Sequence, residues 1–152
     1  MSTLERAIEI AAGAHAGQFD KAGQPYILHP LRVMLRVMSA HERMAAVLHD
    51  VVEDTPVSLQ QLVAEGFAPE VVTAVEALTK RPGESRIDAA RRAAANPVAR
   101  RAAANPVARE VKLADNAENM DLSRIENPTE RDFARLEEYK TVRAILLGRD
   151  AD

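Results

Sequence analysis

The chain has 152 residues, enough for one domain and too few for two ordinary ones, and its 47% hydrophobic and 28% charged residues predict a packed core. The absence of cysteine excludes disulfides and thiolate metal sites, so any metal must be held by His, Asp or Glu. The formal net charge of −3 argues against nucleic-acid binding, and the lack of a signal peptide's apolar run or a membrane span leads us to expect a cytoplasmic protein.

Apolar residues recur with helical spacing along the first half of the chain. The pattern predicts a first helix over residues 4–15, capped by Ser2 or Thr3, and a second helix that begins near His29. The segment between them, GQFDKAGQPY, contains two glycines and a proline, which favour a loop. A third helix is expected from about residue 42 to residue 54.

The second half of the chain is also predicted to be helical. We expect one helix after Ser58, one after Pro69, one around VKLADNAENM, and a last amphipathic helix capped by Thr129. No convincing strand pattern appears. Aromatic residues are only 3% of the chain, so Ala, Leu, Val, Ile and Met must fill the core. The sequence therefore predicts an all-α fold, a compact helical bundle with a single domain over residues 1–152.

The sequence RAAANPVAR occurs at residues 92–100 and again, identically, at 101–109. A solenoid would need several longer units, so this is a local tandem duplication within one fold. Nine residues of continuous helix would rotate everything after them by about half a turn. Pro97 and Pro106 can break the helix and prevent that rotation. We expect Pro106 to start the next helix, the first copy to extend the preceding one, and residues 97–105 to form an exposed turn. Exchange of the segment between two protomers is the alternative.

The segment HDVVED concentrates four ionisable groups next to an apolar run. On a helix, His49 and Asp50 project about 100° apart, so both could reach a metal beside the helix. Glu53 and Asp54 return to the same side because they follow one helical turn later. Solvated acids at an exposed helix end are the alternative interpretation. The apolar flanks argue against it, because burying several carboxylates without a cation is costly.

His29 and Asp115 are two further candidate ligands. His29 lies in PYILHP, between a loop and a helix start, and Asp115 lies inside the apolar segment VKLADNAEN. Taken alone, each would be interpreted as a structural residue. Together with His49 and Asp50 they offer two imidazoles and two carboxylates, a mixed set suited to Mn, Fe, Zn or Mg.

Four segments, AHAGQFDKAGQPYILHP, AAVLHDVVEDT, VEALTKRPGES and VKLADNAENMD, occur in the order found in one known family. Over about residues 7–123 the chain resembles the HD-domain hydrolases of the RelA/SpoT type, especially the small stand-alone alarmone hydrolases. The resemblance implies a single HD-type hydrolase domain with a site for Mn²⁺ or another divalent cation. Matched by position, the implied metal ligands are His29, His49, Asp50 and Asp115.

The resemblance also implies roles for other residues. Glu53 and Asp54 match the pair that positions and activates water, whereas His15 and Tyr26 match pocket-wall positions and are expected to be structural. The implied reaction removes the 3′-pyrophosphate of the guanosine alarmone ppGpp. The implied partner is a small anionic nucleotide, without nucleic acid or membrane, and a homo-oligomer is left open. The positions expected near the nucleotide or its phosphates are Lys21, Lys112 and Asn119.

Four residues depart from the family's pattern. Asp20 stands where members often carry an Arg that contacts the base, and Arg86 stands where an aromatic is expected. Asn116 and Ala117 follow KLAD in place of the usual residues. The metal site is thus complete while the substrate pocket is altered. Two alternatives therefore stay open: an HD phosphohydrolase for another nucleotide or phosphorylated metabolite, such as NADPH, and a non-catalytic HD-domain regulatory protein.

Overall fold

The computed structural model describes residues 1–95 and 106–148. The regular secondary structure in these ranges is helical, apart from one isolated β-bridge between Phe19 and Pro25. The expected all-α fold is confirmed. None of the described helices is both long and apolar enough to cross a membrane. The described helices are α1 (Leu4–Ala14), α2 (Leu28–Leu35), α3 (Ala40–Leu48), α4 (Val51–Asp54), α5 (Leu59–Ala64), α6 (Pro69–Leu78), α7 (Arg86–Ala95), α8 (Pro106–Met120) and α9 (Glu130–Leu146).

Most helices begin where the sequence places a capping residue. The Thr3 side chain accepts a hydrogen bond from the Arg6 amide at 3.2 Å and caps α1. Ser58 and Thr129 form capping boxes that start α5 and α9, as predicted. Such caps satisfy amide groups that have no partner within the helix, and each is typically worth about 1 kcal/mol.

The predicted third helix is wrong in one respect, because it is broken at the His49–Asp50 pair. In a continuous α-helix the Ala46 carbonyl would accept from the amide four residues later. It instead accepts from the His49 amide at 3.4 Å and lies 2.6 Å from the His49 ring nitrogen Nδ1. Helix α3 therefore ends at Leu48, and a short separate helix, α4, carries Glu53 and Asp54.

The core consists of two apolar clusters. The larger is built by α1 to α6 with one face of α8, and the smaller by Ala90 of α7 with three residues of α9. Helix α8 contributes to both, since Val111 lies in the first cluster and Leu113 packs against the second. Ala, Val and Leu dominate both clusters, as the low aromatic content requires. Phe133 of the amphipathic helix α9 belongs to neither cluster and is 54% exposed.

The two copies of the duplicated segment meet different helices. Helix α7 extends to Ala95, inside the first copy, and α8 begins at Pro106, inside the second, both as predicted. The Arg109 guanidinium donates to the Leu146 carbonyl at 3.0 Å, which ties α8 to the end of α9. The expected exposed turn over 97–105 lies outside the described residues.

Candidate metal centre

The four predicted metal ligands converge on one point between α2, α3 and α8. His29 Nε2 lies 2.9 Å from Asp115 Oδ1, and His49 Nε2 lies 3.3 Å from the same oxygen. Asp50 Oδ2 lies 3.0 Å from His49 Nε2 and 4.0 Å from His29 Nε2. His29, His49 and Asp115 are at most 7% exposed. Residues up to 86 positions apart in sequence thus share one small buried space.

One nitrogen of this cluster indicates that it is built for a cation. His49 Nδ1 donates to the Ala46 carbonyl at 2.6 Å, so in the neutral ring Nε2 carries the lone pair. Nε2 is buried and lacks a hydrogen bond of acceptable geometry, although it faces carboxylate oxygens of Asp50 and Asp115 within 3.3 Å. Lone pairs that face one another in a buried space repel. A divalent cation bound by all of these atoms would remove that repulsion, so the donor set fits a metal.

The electrostatics of the cluster agree with this fit. Burial lowers the pKa of His49, but the charges of Asp50 and Asp115 outweigh it and hold that pKa well above 6.5. The carboxylates thus draw a positive charge to Nε2, which a proton supplies when no metal is bound. Burial raises the pKa of Asp50, yet His49 and the Tyr26 hydrogen bond bring it to about 2. For Asp115, burial is outweighed by Lys112 and His49, and the pKa falls well below its usual value. Both carboxylates are therefore ionised and available as ligands.

Two residues that were predicted to lie near the substrate contact the carboxylate of Asp115. Lys112 Nζ lies 3.2 Å from Asp115 Oδ2, and the Asn119 amide donates to Asp115 Oδ1 at 3.1 Å. Burial lowers the pKa of Lys112, but Asp115 outweighs it, so the ammonium stays charged. Groups that hold a metal ligand fix its orientation and tune its affinity for the metal. Both residues also line the cavity described below, so substrate contact stays a prediction.

Tyr26, which was predicted to be structural, contacts Asp50, another of the predicted metal ligands. Its hydroxyl donates to Asp50 Oδ2 at 2.5 Å. Burial and then the negative charge of Asp50 raise the pKa of Tyr26, so the hydroxyl remains a proton donor. The Tyr26 ring lies between His15 and His29, with centroid distances of 5.0 and 5.7 Å. The signal in the sequence is its position three residues before His29, at the end of the loop that leads into α2.

The predicted catalytic pair lies beside the four ligands. Carboxylate oxygens of Glu53, Asp54 and Asp50 lie within 4.8 Å of one another and form a second acidic group. Glu53 Oε1 accepts the Lys80 amide at 2.6 Å, and the Asp54 carbonyl accepts from the Gln18 side chain at 3.2 Å. Burial, followed by the charges of Asp50 and Glu53, raises the pKa of the Asp54 carboxyl.

A cavity of about 490 Å³ opens over the centre and is large enough for a nucleotide. Lys21 lines this cavity and is exposed, as expected of a residue that contacts substrate. Asp20 lines it too, but its charge is compensated: Oδ2 lies 3.2 Å from the Arg124 guanidinium, which reaches across 104 positions of sequence. Asp20 Oδ1 accepts the amides of Ala22 and Gln24, which fixes the loop. Arg124 was missed by the sequence analysis.

The other departures from the family pattern mostly serve the packing of α9. Arg86 lies 2.8 Å from Glu138, and its guanidinium stacks 4.7 Å above the centre of the Tyr139 ring. The buried Asn116 amide donates to the Tyr139 carbonyl at 3.1 Å. Ala117 is half-buried. Arg86 and Asn116 thus bind α9 to α7 and α8, and they line the far wall of the same cavity.

Comparison with known proteins places this chain in a family. The sequence model of the HD domain matches residues 7–149, which is nearly the whole chain. The solved structure of a metazoan ortholog of SpoT that hydrolyses ppGpp and plays a role in starvation responses has a TM-score of 0.76 to this chain. Its sequence is 27% identical, and the match covers 99% of this chain and 89% of that one.

Bacterial relatives match in sequence. A probable guanosine-3′,5′-bis(diphosphate) 3′-pyrophosphohydrolase of Synechocystis sp. is 37% identical over 151 residues, 95% of this chain and 20% of the relative. A probable GTP pyrophosphokinase of Mycobacterium leprae is 34% identical over 98% of this chain and 19% of the relative. The 3′-pyrophosphohydrolase of Haemophilus influenzae is 43% identical over 53% of this chain and 13% of the relative. The chain spans a fifth or less of these relatives.

Replacing Tyr26 tests whether it holds a metal ligand. Tyr26→Phe keeps the ring and removes the hydroxyl that donates to Asp50, so we expect Mn²⁺ affinity to fall by about ten- to a hundredfold. Isothermal titration calorimetry measures that affinity. Tyr139→Phe is a matched control, because it removes the hydroxyl of the other tyrosine in the chain and should leave Mn²⁺ affinity unchanged. Equal affinities for Tyr26→Phe and wild type would refute this role.

Proposed function

Because the chain belongs to the HD-domain family, we propose that it is a metal-dependent phosphohydrolase that removes the 3′-pyrophosphate of ppGpp. The observation that carries the hydrolase proposal is the buried His49 Nε2, which lacks a hydrogen-bond partner and faces the carboxylates of Asp50 and Asp115 beneath a nucleotide-sized cavity. The relatives described as ppGpp pyrophosphohydrolases support the choice of substrate. A non-catalytic protein would not need the acidic pair of Glu53 and Asp54 beside the ligands.

His29, His49, Asp50 and Asp115 would hold the metal. Their mixed donors suit Mn, Fe, Zn or Mg, and among these we propose Mn²⁺ because the resemblance to RelA/SpoT-type hydrolases implies it. When bound, such an ion neutralises phosphate charge and lowers the pKa of a coordinated water from about 16 towards 7.

Glu53 and Asp54 divide the handling of the attacking water between them. The Lys80 amide fixes one oxygen of Glu53, so this carboxylate is suited to orient a water molecule. Burial and the neighbouring charges raise the pKa of Asp54, which suits this carboxylate to accept the proton of the water. Attack of water on the phosphorus next to the ribose breaks the bond to the 3′-oxygen, and the proton accepted by Asp54 would pass to that oxygen as pyrophosphate is released.

The cations of the cavity wall indicate where an anionic substrate binds. Lys112, Arg86, Arg124 and Arg135 each pair with a carboxylate of the chain. Among the described residues, Lys21 has no such partner, so it is the wall cation with charge to spare for a phosphate. The Asp20–Arg124 ion pair also weakens the case for a different substrate, because Asp20 does not present an uncompensated negative charge to the cavity.

An assay panel tests the function and the role of Glu53 together. With Mn²⁺, the protein should release pyrophosphate from ppGpp but should not turn over GTP, deoxynucleoside monophosphates or NADPH, and EDTA should abolish the reaction. Glu53→Gln should lower kcat by about 10²- to 10⁴-fold, because it removes a charge assigned to the water. Its metal content should stay near that of wild type, whereas Asp50→Ala should lose the metal. Chromatography of products and elemental analysis of the protein provide the readouts.

The control for this panel is Glu137→Gln, which alters an exposed carboxylate paired with Lys140 on α9. Turnover of NADPH or another nucleotide in place of ppGpp would overturn the proposed substrate. Absence of turnover with every compound would favour the non-catalytic alternative. Wild-type activity in Glu53→Gln would refute its assignment to water.

Removing either member of the Asp20–Arg124 ion pair should change KM for ppGpp differently. Arg124→Ala leaves the Asp20 charge uncompensated against an anionic substrate, so KM for ppGpp should rise about tenfold, equivalent to 1.4 kcal/mol. Asp20→Asn removes that charge and keeps an oxygen for the loop amides, so KM should stay the same or fall. Steady-state kinetics with ppGpp measure both. A similar rise of KM in the two variants would show that the pair only supports the loop.

A further inference from the structure

One peptide group in the loop between α6 and α7 connects Glu53 to a distant arginine. The amide of the Thr79–Lys80 peptide donates to Glu53 Oε1 at 2.6 Å. The carbonyl of the same peptide accepts from Arg92 Nη2 at 3.1 Å. A peptide group is planar, and its N–H and C=O point in opposite directions. Fixing the carbonyl therefore fixes the direction in which the amide meets the Glu53 carboxylate.

Arg92 is itself held rigidly in the loop. Its Nε and Nη2 donate to the two carboxylate oxygens of Glu84 at 2.8 and 3.0 Å, a bidentate pair. The Arg81 amide donates to Glu84 at 3.0 Å. The hydrogen bonds from Arg92, and then from Arg81, lower the pKa of Glu84 to about 2, so the pair persists at neutral pH. One guanidinium thus ties both ends of the loop over residues 79–84.

We propose that Arg92 is a positioning residue for Glu53 and acts through the Thr79–Lys80 peptide. The inference rests on the proposed function, since it gives a purpose to the orientation of Glu53. Arginine suits the task because its planar fork can hold a carboxylate and a carbonyl at once, whereas a lysine would hold only one of them firmly. A contact with the carbonyl also polarises the peptide and strengthens its amide as a donor.

The two copies of the duplicated segment contribute to different sides of the site. Arg92 is the first residue of the first RAAANPVAR copy, while Pro106 in the second copy starts the helix that carries Asp115. The first copy therefore supports the water-binding side of the site and the second supports the metal side. The counterpart of Arg92 in the second copy, Arg101, lies outside the described residues.

Variants of Arg92 in the full chain separate this role from a purely structural one. Arg92→Ala should lower kcat for ppGpp hydrolysis about tenfold or more and leave KM within about twofold, because misplacing a catalytic group slows chemistry more than binding. Arg92→Lys should be intermediate. Arg91→Ala is the matched control: it removes the same charge from the same helix, and Arg91 pairs with Asp88 away from the loop. Its kcat should equal that of wild type.

A second readout does not depend on turnover. In ¹⁵N-labelled protein, the Lys80 amide proton should shift upfield in Glu53→Gln, because a neutral amide oxygen accepts more weakly than a carboxylate. Arg92→Ala and Arg92→Lys should move it in the same direction. Arg91→Ala should leave it in place. If Arg92→Ala does not fold, as judged by thermal unfolding, Arg92→Lys supports the same comparison.

The outcomes distinguish the inference from the function. If the wild-type protein hydrolyses ppGpp and Arg92→Ala has the same kcat, the inference is overturned and the proposed function stands. If the wild-type protein does not hydrolyse ppGpp, the proposed function is overturned. The chemical shift of the Lys80 amide then tests the inference by itself. An amide that responds to both Glu53 and Arg92 would support it, and one that ignores Arg92 would overturn it.

Discussion

The buried carboxylate of Asp115 is the charge on which the rest of the site depends. It lies on α8, between the two apolar clusters, where an uncompensated charge would cost several kcal/mol. Lys112 and Asn119 lie one turn before and one turn after it on the same helix, and both donate hydrogen bonds to its carboxylate oxygens. The histidines bring nitrogen atoms to the remaining side. We propose that a cation shared with Asp50 completes the compensation, so the same ion would stabilise the buried charge and serve the chemistry of the site.

Hydrogen bonds from the surrounding structure orient the predicted metal ligands. Tyr26 holds Asp50, and the Ala46 carbonyl sets the tautomer of His49 by accepting from its other nitrogen. The break between α3 and α4 places the His49–Asp50 pair outside regular helix while Glu53 and Asp54 follow on a short helix of their own. Asp50 and Glu53 are therefore held by groups from other segments, whereas His49 is held by a group of its own helix. This is the preorganisation that metal-assisted hydrolysis requires, since its catalytic groups must stand in place before the substrate arrives.

The sequence predicted the parts of this site that depend on local pattern. The ionisable residues of HDVVED and the lone acid of VKLADNAEN stood out because their neighbours are apolar. The spacing of Lys112 and Asn119 from Asp115 could also have revealed their supporting role, because residues three and four apart share a helix face. Other features could not be read locally. Arg124 meets Asp20 across 104 positions, and the group that binds Glu53 is a backbone amide, which every residue type except proline provides. Asp20 therefore appeared to oppose an anionic substrate when its charge is paired.

The central claim is that His29, His49, Asp50 and Asp115 bind one divalent cation together. Crystals grown with Mn²⁺ and measured on both sides of the manganese absorption edge test it most directly, because the anomalous signal locates the ion without reference to any assumed ligand. The account predicts a single strong peak enclosed by these four side chains, with Glu53 and Asp54 beside it and not bound to it. A peak among Asp50, Glu53 and Asp54, with Asp115 turned away, would contradict it.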